Sequence, residues 1–135
     1  MTYSYSINLF YTNATSLVNK WSEFNDLLAF HDFPQIAMVT ETWFNVASIS
    51  NLPGYTTYLK NREYIRGGGV AIFIRNDVKS HRLTFEDLSG DTSEQLWCTI
   101  EPDNCKPVLI GCIYRLPDSS TSNGDFNYAD IIWST

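Results

Sequence analysis

The amino-acid sequence predicts a layered fold of the α+β class, in which one helix precedes a mostly antiparallel arrangement of strands. Apolar residues recur at helical spacing in one early segment, and strand-like apolar runs bounded by turn residues follow from residue 55 onward. The chain has 135 residues, of which 44% are hydrophobic, so one packed core is expected and a second domain is not. Aromatic residues make up 15% of the chain, which argues against a disordered tail.

The N-terminal sequence predicts a strand, a helix and a second strand. Residues 3–11 alternate polar and apolar, which is typical of a strand. A helix is expected from near Thr15 to near His31, because apolar residues recur there three or four positions apart. Its apolar stripe consists of Leu17, Val18, Trp21, Phe24, Leu27 and Leu28. Residues 35–40 are apolar on both faces and therefore predict a buried strand.

Further strands are predicted in the second half of the chain. The strongest of them follows Gly67-Gly68-Gly69. No helix follows this glycine run, so a tight turn or bulge is expected there and not a phosphate-binding loop. The predicted strands cover residues 55–59, 70–75, 81–85, 94–100 and 108–114.

The C-terminal segment departs from this pattern. Residues 116–123 are polar, and they lead directly into Gly124-Asp125-Phe126-Asn127 with no apolar strand before it. We therefore divide the single domain, residues 1–135, into a contiguous region of residues 1–115, a polar junction of residues 116–123 and a detached segment of residues 124–135. Residues 131–133 are apolar and have no succeeding structure to pack against, which predicts a domain that is cut short.

Charge and cysteine content narrow the class of protein. The net charge of -6 argues against nucleic-acid binding through bulk positive charge, although a bound cation can supply positive charge locally. Cys98, Cys105 and Cys112 form no Cys-x-x-Cys pair and are expected to be reduced structural thiols.

No apolar stretch reaches the length of about 18 residues needed to span a membrane. The N-terminus lacks a signal-peptide pattern, so an intracellular protein, nuclear or cytoplasmic and not secreted, is expected.

Two carboxylates suggest a site for a hard divalent cation, which prefers oxygen ligands. Glu41 follows the buried strand at 35–40, and Asp125 lies in a second acidic element near the C-terminus. Asn13 ends the first strand much as Glu41 ends the second, and in a parallel pair both would lie on the same rim. The alternatives are a surface carboxylate without a function for Glu41 and a helix cap for Asn13.

Tyr114 and Arg115 end the strand at 108–114. The phenol could donate a hydrogen bond to an oxyanion, and the guanidinium could pair with a phosphate. The alternative is a tyrosine at the rim and a solvated arginine. His31 and His81 lack metal-ligand spacing, so both are expected to be structural.

Taken together, these segments resemble the endonuclease/exonuclease/phosphatase superfamily, and most of all the apurinic-type endonuclease domain of non-LTR, LINE-like retrotransposons. Each matching segment is weak by itself, but all occur in the order that the family has. The segments cover residues 11–17, 40–43, 67–73, 94–97, 113–117 and 124–131.

The resemblance implies a β-sandwich of two mostly antiparallel sheets flanked by helices, incomplete in this chain, and Mg²⁺- or Mn²⁺-dependent hydrolysis of a DNA phosphodiester. By position, Glu41 would be the metal ligand, and Asn13 would support the metal or the phosphate. Tyr114 would contact the scissile phosphate, Asp125 would orient or activate the attacking water, and Asn127 would stabilise the phosphate in the transition state. Arg115 would bind the substrate.

Two departures from the family predict weak or absent activity. In the family, a helix and a strand lie between the Tyr-Arg and Gly-Asp-x-Asn motifs, where this chain has only residues 116–123. The family's later Asp and its Ser-Asp-His motif have no counterpart in this chain. One alternative is therefore a non-catalytic remnant that binds metal, nucleic acid or protein. Another is phosphoinositide or sphingolipid hydrolysis within the same superfamily. DNA would be a transient substrate, and neither a membrane partner nor a stable small-molecule cofactor is expected.

Overall fold

The computed structural model describes residues 6–44, 52–60, 68–84, 94–103 and 105–114, together with the backbone of residues 127–133. Arg115 and Asp125, both predicted site residues, lie outside the described residues, as does Gly67 of the glycine run. The described elements, in chain order, are β1 (Leu9–Asn13), α1 (Trp21–Phe30), β2 (Ile36–Thr40), β3 (Tyr55–Lys60), β4 (Val70–Arg75), β5 (Lys79–Leu83), β6 (Glu94–Glu101), β7 (Val108–Tyr114) and β8 (Asn127–Trp133).

The strands form two four-stranded sheets. The first has the order β1-β2-β4-β3 and the second the order β5-β6-β7-β8. Only β1 and β2 pair in parallel, and every other pairing among the described strands is antiparallel. With one helix in the described ranges of the chain, this is a strand-rich α+β fold that has the arrangement of an incomplete β-sandwich. The predicted fold class is confirmed.

The first sheet is buried on both faces, and strand alternation explains how. Ile36 and Met38 of β2 face the second sheet, where they join a core that includes Leu96 and Ile110. The intervening side chains point to the other face, where Ala37 and its neighbours pack beneath α1. Every residue of β2 is buried, which agrees with its continuous apolar sequence.

The second sheet is buried mainly on one face. Residues of β6 alternate between buried and half-buried, with Leu96 and Cys98 turned inward. Trp97 lies on the outer face, and its indole ring covers Gly111 of β7 so closely that a Cβ atom there would overlap the ring. The glycine therefore allows a large aromatic side chain to lie flat across the neighbouring strand.

The structure corrects several predicted boundaries in the N-terminal half. The helix begins at Trp21 and not near Thr15, because Thr15 and Ser16 have φ angles of 44° and 80°, which a right-handed helix excludes. Asn13 consequently caps no helix. The predicted apolar stripe is also too wide, since Val18 and Leu27 are 39% and 43% exposed.

The remaining predicted strands occur at or near the expected positions, and β7 has the predicted bounds. Strand β1 covers Leu9–Asn13 and so ends later than predicted, whereas residues 3–5 of the predicted strand lie outside the described residues; β5 starts at Lys79. Strand β8 was not predicted. It pairs along the whole of β7, with Asn127 opposite Tyr114 and Trp133 opposite Val108.

The cysteines are free, as predicted, and Cys98 and Cys112 are buried while Cys105 is exposed. Burial raises the pKa of both inward-facing thiols to about 12. No helix in the described ranges is long and apolar enough to cross a membrane.

Candidate active site

The candidate site lies at one rim of the first sheet, where β1 and β2 end side by side. Asn13 is in register with Thr40 of the parallel neighbour, and Glu41 follows directly. The predicted placement of Asn13 and Glu41 at a common strand end is therefore present. Glu41 has a φ angle of 55°, a conformation that is unfavourable for a residue with a side chain, so surrounding contacts must hold it.

Backbone hydrogen bonds supply that restraint on both sides of the segment from Glu41 to Trp43. On one side, the N–H groups of Ser16 and Leu17 donate to the carbonyl oxygens of Glu41 and Thr42, at 2.8 and 2.9 Å. On the other, the N–H group of Thr42 donates to Gly69 O at 3.3 Å, and that of Trp43 to the preceding glycine at 2.8 Å. The turn after β2 is thus part of the sheet edge and not a free loop.

The glycine run allows this close contact. Gly68 and Gly69 have φ angles of 64° and 88°, which glycine adopts without strain. A Cβ atom on Gly69 would lie 2.5 Å from Oγ1 of Thr42. Thr42 is fully buried, and its hydroxyl has no hydrogen-bond partner within the described ranges. The turn or bulge predicted at the glycine run stays a prediction, because the residues before Gly68 lie outside the described ranges.

At this rim, a hydrogen bond joins a side chain of the second sheet to one of the first. The phenol of Tyr114, which is 3% exposed, donates to Oε1 of Glu41 at 3.2 Å. The side chain of Glu41 is half-buried, and its other oxygen, Oε2, has no hydrogen-bond partner among the residues described. A carboxylate that one phenol orients, and that keeps an oxygen available at the surface, is suited to bind a cation or a donor group.

Tyr11 is a second phenol at the rim, and the sequence analysis did not single it out. Its hydroxyl lies 3.0 Å from Oγ1 of Thr40. Burial raises the pKa of Tyr11; the hydrogen bond with Thr40 lowers it, and the nearby Cys112 and Glu41 raise it further. The phenol is therefore neutral at physiological pH and can donate a hydrogen bond. Only its strand-end position, two residues before Asn13, could have indicated it.

Asn13 uses its carbonyl oxygen within the chain. Oδ1 accepts hydrogen bonds from the backbone N–H and the hydroxyl of Thr15, at 3.1 and 3.2 Å. This Asx-type turn stabilises the bend after β1 in place of the helix cap considered from the sequence. The Nδ2 group has no partner among the described residues, so it is the end of the Asn13 amide that can donate to a phosphate oxygen.

A second carboxylate reaches the rim from β6. Glu94 stands opposite Tyr114 in the antiparallel register, and its Oε2 accepts a hydrogen bond from the backbone N–H of Gly69. Residues 94–97 belong to a segment that resembles the family, but the sequence indicates no role for Glu94. Its approach to Gly69 depends on how the two sheets pack and has no sequence signal.

The other predicted residues divide into two groups. The backbone register places Asn127 opposite Tyr114, and hence at the same end of the second sheet. The two histidines lie away from the rim. His31 contacts the Phe10 ring near the start of β1, with centroids 5.2 Å apart, and His81 is an exposed residue of β5 opposite Thr99.

The residues at the rim are compatible with Mg²⁺ or Mn²⁺ but do not form a complete protein cage. Within the described ranges, no three His, Cys, Asp or Glu residues are close enough together to hold a metal. Mg²⁺ does not need such a cage, because it commonly keeps several waters and binds through one or two carboxylates. Glu41 can supply one such carboxylate.

Comparison with known proteins adds no identification, since no protein-family model and no curated protein matches the chain. The features of the chain that indicate a function are therefore the rim and its three oriented groups. These are the Glu41 carboxylate, the Tyr114 phenol and the Asn13 amide.

Proposed function

We propose that this rim binds Mg²⁺ or Mn²⁺ and supports slow hydrolysis of a DNA phosphodiester. The observation that carries the proposal is the hydrogen bond from Tyr114 to Glu41, 3.2 Å long, which joins the two sheets at the strand ends. The bond joins a carboxylate, which could bind a cation, to a phenol that can donate a hydrogen bond, and phosphate chemistry uses groups of both kinds. DNA is the proposed substrate because the segments that resemble retrotransposon endonucleases occur in the order that this family has.

Glu41 would hold the cation through its available carboxylate oxygen. The cation would supply positive charge that offsets the charge of a phosphate and makes a bound water more acidic. Local positive charge matters here because the whole chain carries a net charge of -6 and would otherwise repel DNA.

The chain's own donors would orient the phosphate. Tyr114 is held by the core and turns its hydroxyl toward Glu41, so it can donate to an oxygen of a phosphate bound beside that carboxylate. The amide of Asn13 can donate from the neighbouring strand end. The resemblance adds Asn127 for the transition state and Asp125 for the water, and Arg115 for binding the substrate.

Hydrolysis is proposed to be slow because the described histidines are not at the rim. A proton must leave the attacking water and reach the departing oxygen, and a positioned imidazole commonly accelerates such transfers by about 10²–10⁴-fold. His31 contacts aromatic rings elsewhere, and His81 is on the strand at the far side of the second sheet. Proton transfer would therefore depend on solvent and on Asp125.

Nicking of supercoiled plasmid DNA, measured with and without Mg²⁺, tests this proposal. The informative variants are Glu41→Gln, which keeps the shape and removes the charge, and Tyr114→Phe, which removes only the hydroxyl. Glu101→Gln is the matched control, because Glu101 lies at the end of β6 remote from Glu94 and pairs with Lys79 at 3.1 Å. We expect slow Mg²⁺-dependent nicking that Glu41→Gln abolishes, that Tyr114→Phe reduces about tenfold or more and that the control retains.

A second function, cation binding without hydrolysis, is favoured by the distance of both histidines from the rim. Mn²⁺ binding by a folded protein that nicks no DNA would support it and would refute the catalytic proposal. Cleavage of phosphoinositide or sphingomyelin vesicles in place of DNA would instead assign the lipid branch of the superfamily. Nicking that survives in Glu41→Gln would show that the activity belongs to a different site or to a contaminant.

A further inference from the structure

Glu94 is a charged residue in a row of side chains that faces the core. Along β6, Leu96, Cys98 and Ile100 are buried and point toward the first sheet, and Glu94 belongs to the same alternate row. A carboxylate that points into a sandwich loses hydration and must gain strong hydrogen bonds in return. Glu94 is half-buried, and one such bond comes from the backbone N–H of Gly69 on the opposite sheet.

Backbone hydrogen bonds connect the contact between Glu94 and Gly69 with the proposed cation site. Gly69 uses its N–H for Glu94 and its carbonyl oxygen for the N–H of Thr42, while Gly68 accepts the N–H of Trp43. The two glycines therefore connect the Glu94 carboxylate with the two residues that follow Glu41.

Glu94 and Tyr114 act on the same segment from adjacent strands. They are directly opposite in the β6–β7 register, and such pairs share one face of a sheet. Tyr114 contacts the side chain of Glu41, and Glu94 holds the glycines that hold the backbone after it. Glu41 has an unfavourable φ angle of 55°, and both contacts restrain the segment that carries its carboxylate.

We propose that Glu94 is a positioning residue of the Glu41 site, which acts through Gly69 and is not itself a cation ligand. The effect on cation affinity rests on the proposed function. The effect on the backbone of residues 41–43 does not, because it follows from the hydrogen bonds alone. Groups that orient a metal ligand in this indirect way typically contribute about 10–100-fold to affinity.

Two substitutions distinguish the effect of the length of the Glu94 side chain from the effect of its charge. Glu94→Gln keeps the length and an acceptor oxygen but removes the charge, whereas Glu94→Asp keeps the charge and shortens the side chain by one methylene. Glu101→Gln and Glu101→Asp are the matched controls at the other end of β6. Mn²⁺ affinity is measured by the EPR signal of free Mn²⁺, and backbone order by hydrogen exchange of the amides of residues 41–43 and 69.

We expect Glu94→Asp to weaken Mn²⁺ binding about tenfold or more and to speed exchange of the amides at Thr42, Trp43 and Gly69. Glu94→Gln should stay within about threefold of the unmodified protein, because its acceptor still reaches Gly69. Both Glu101 variants should leave affinity and exchange unchanged. Thermal unfolding followed by circular dichroism checks that each variant is folded at the temperature of the assay.

Several results would overturn the inference. If Glu94→Gln lost as much affinity as a Glu41→Gln variant, Glu94 would be a ligand. If Glu94→Asp left amide exchange at residues 41–43 and 69 unchanged, the restraint would not exist. If the unmodified protein bound no Mn²⁺, the proposed function would fail, and amide exchange alone would then decide whether Glu94 positions the segment.

Discussion

Replacement of Gly69 by alanine is expected to destabilise the protein by about 2–5 kcal/mol, from two separate causes. The first is backbone strain, because the φ angle of 88° is unfavourable for an L-residue with a Cβ atom by about 1–2 kcal/mol. The second is steric overlap, because the new Cβ would lie 2.5 Å from Oγ1 of Thr42. Thr42 is buried, so relief of that overlap requires movement of packed atoms, which costs about 1–3 kcal/mol.

A double-mutant cycle separates the two causes. Thr42→Ala removes the oxygen that the new methyl group meets but leaves the backbone angle unchanged. In the background of Thr42→Ala, Gly69→Ala should therefore lower the free energy of unfolding only by the backbone strain, about 1–2 kcal/mol. The coupling free energy between the two substitutions should be about 1–3 kcal/mol. Urea unfolding followed by tryptophan fluorescence provides each free energy of unfolding, with an unchanged m-value as the check on the two-state assumption.

A coupling free energy below about 0.5 kcal/mol, which is the usual scatter for independent sites, would refute the steric explanation. That result would mean that the turn after β2 yields to the methyl group without cost. A Gly54→Ala variant is the matched control. Gly54 has a similar φ angle of 84°, but a Cβ atom there would meet nothing within 4 Å, so only the strain should remain.

Three further outcomes are expected elsewhere in the fold. Gly111→Ala should displace the Trp97 ring, lower the free energy of unfolding by about 1–3 kcal/mol and change the tryptophan emission of the folded protein. Unchanged emission would contradict the described packing. Ellman's reagent should titrate one thiol per folded chain, that of exposed Cys105, and three in urea, since burial raises the pKa of the other two to about 12. A hydrogen bond from an arginine guanidinium lowers the pKa of the Asp77 carboxyl. The ionised carboxylate therefore stabilises the fold slightly at pH values above its ordinary pKa of 3.8, and this contribution is lost as the pH falls below that value. Asp77→Asn should therefore weaken the acid dependence of unfolding, and an identical acid limb in both proteins would count against this pair.

Most of the strands could be predicted because their pattern is local. β2 and β4 are short apolar runs that are buried on both faces, and β6 alternates between core and surface. The start of α1 could not be predicted, because the spacing of Leu17 from Trp21 is helical although the intervening chain is not. Leu17 is buried through a bend at Thr15 and Ser16, which no apolar pattern encodes.

The candidate site was only partly predictable. Asn13 and Glu41 could be placed at one rim because both end strands that a helix separates, and such strands commonly pair in parallel. The contact between Glu41 and Tyr114 joins residues 73 positions apart and was not predicted, because the resemblance gave these residues only separate roles at one site. Glu94 and Tyr11 were missed, because their importance depends on which residues the opposite sheet presents to them.

By itself, the sequence determined the fold class and the position and type of most elements, because hydrophobic periodicity acts within a few residues. The tertiary structure decided which strand ends meet at the rim and which polar atoms are left available there. It also decided that Gly69 must lack a side chain and that Glu94 reaches it. These features depend on the packing of two sheets whose residues are distant in sequence, and a local pattern carries no information about such contacts.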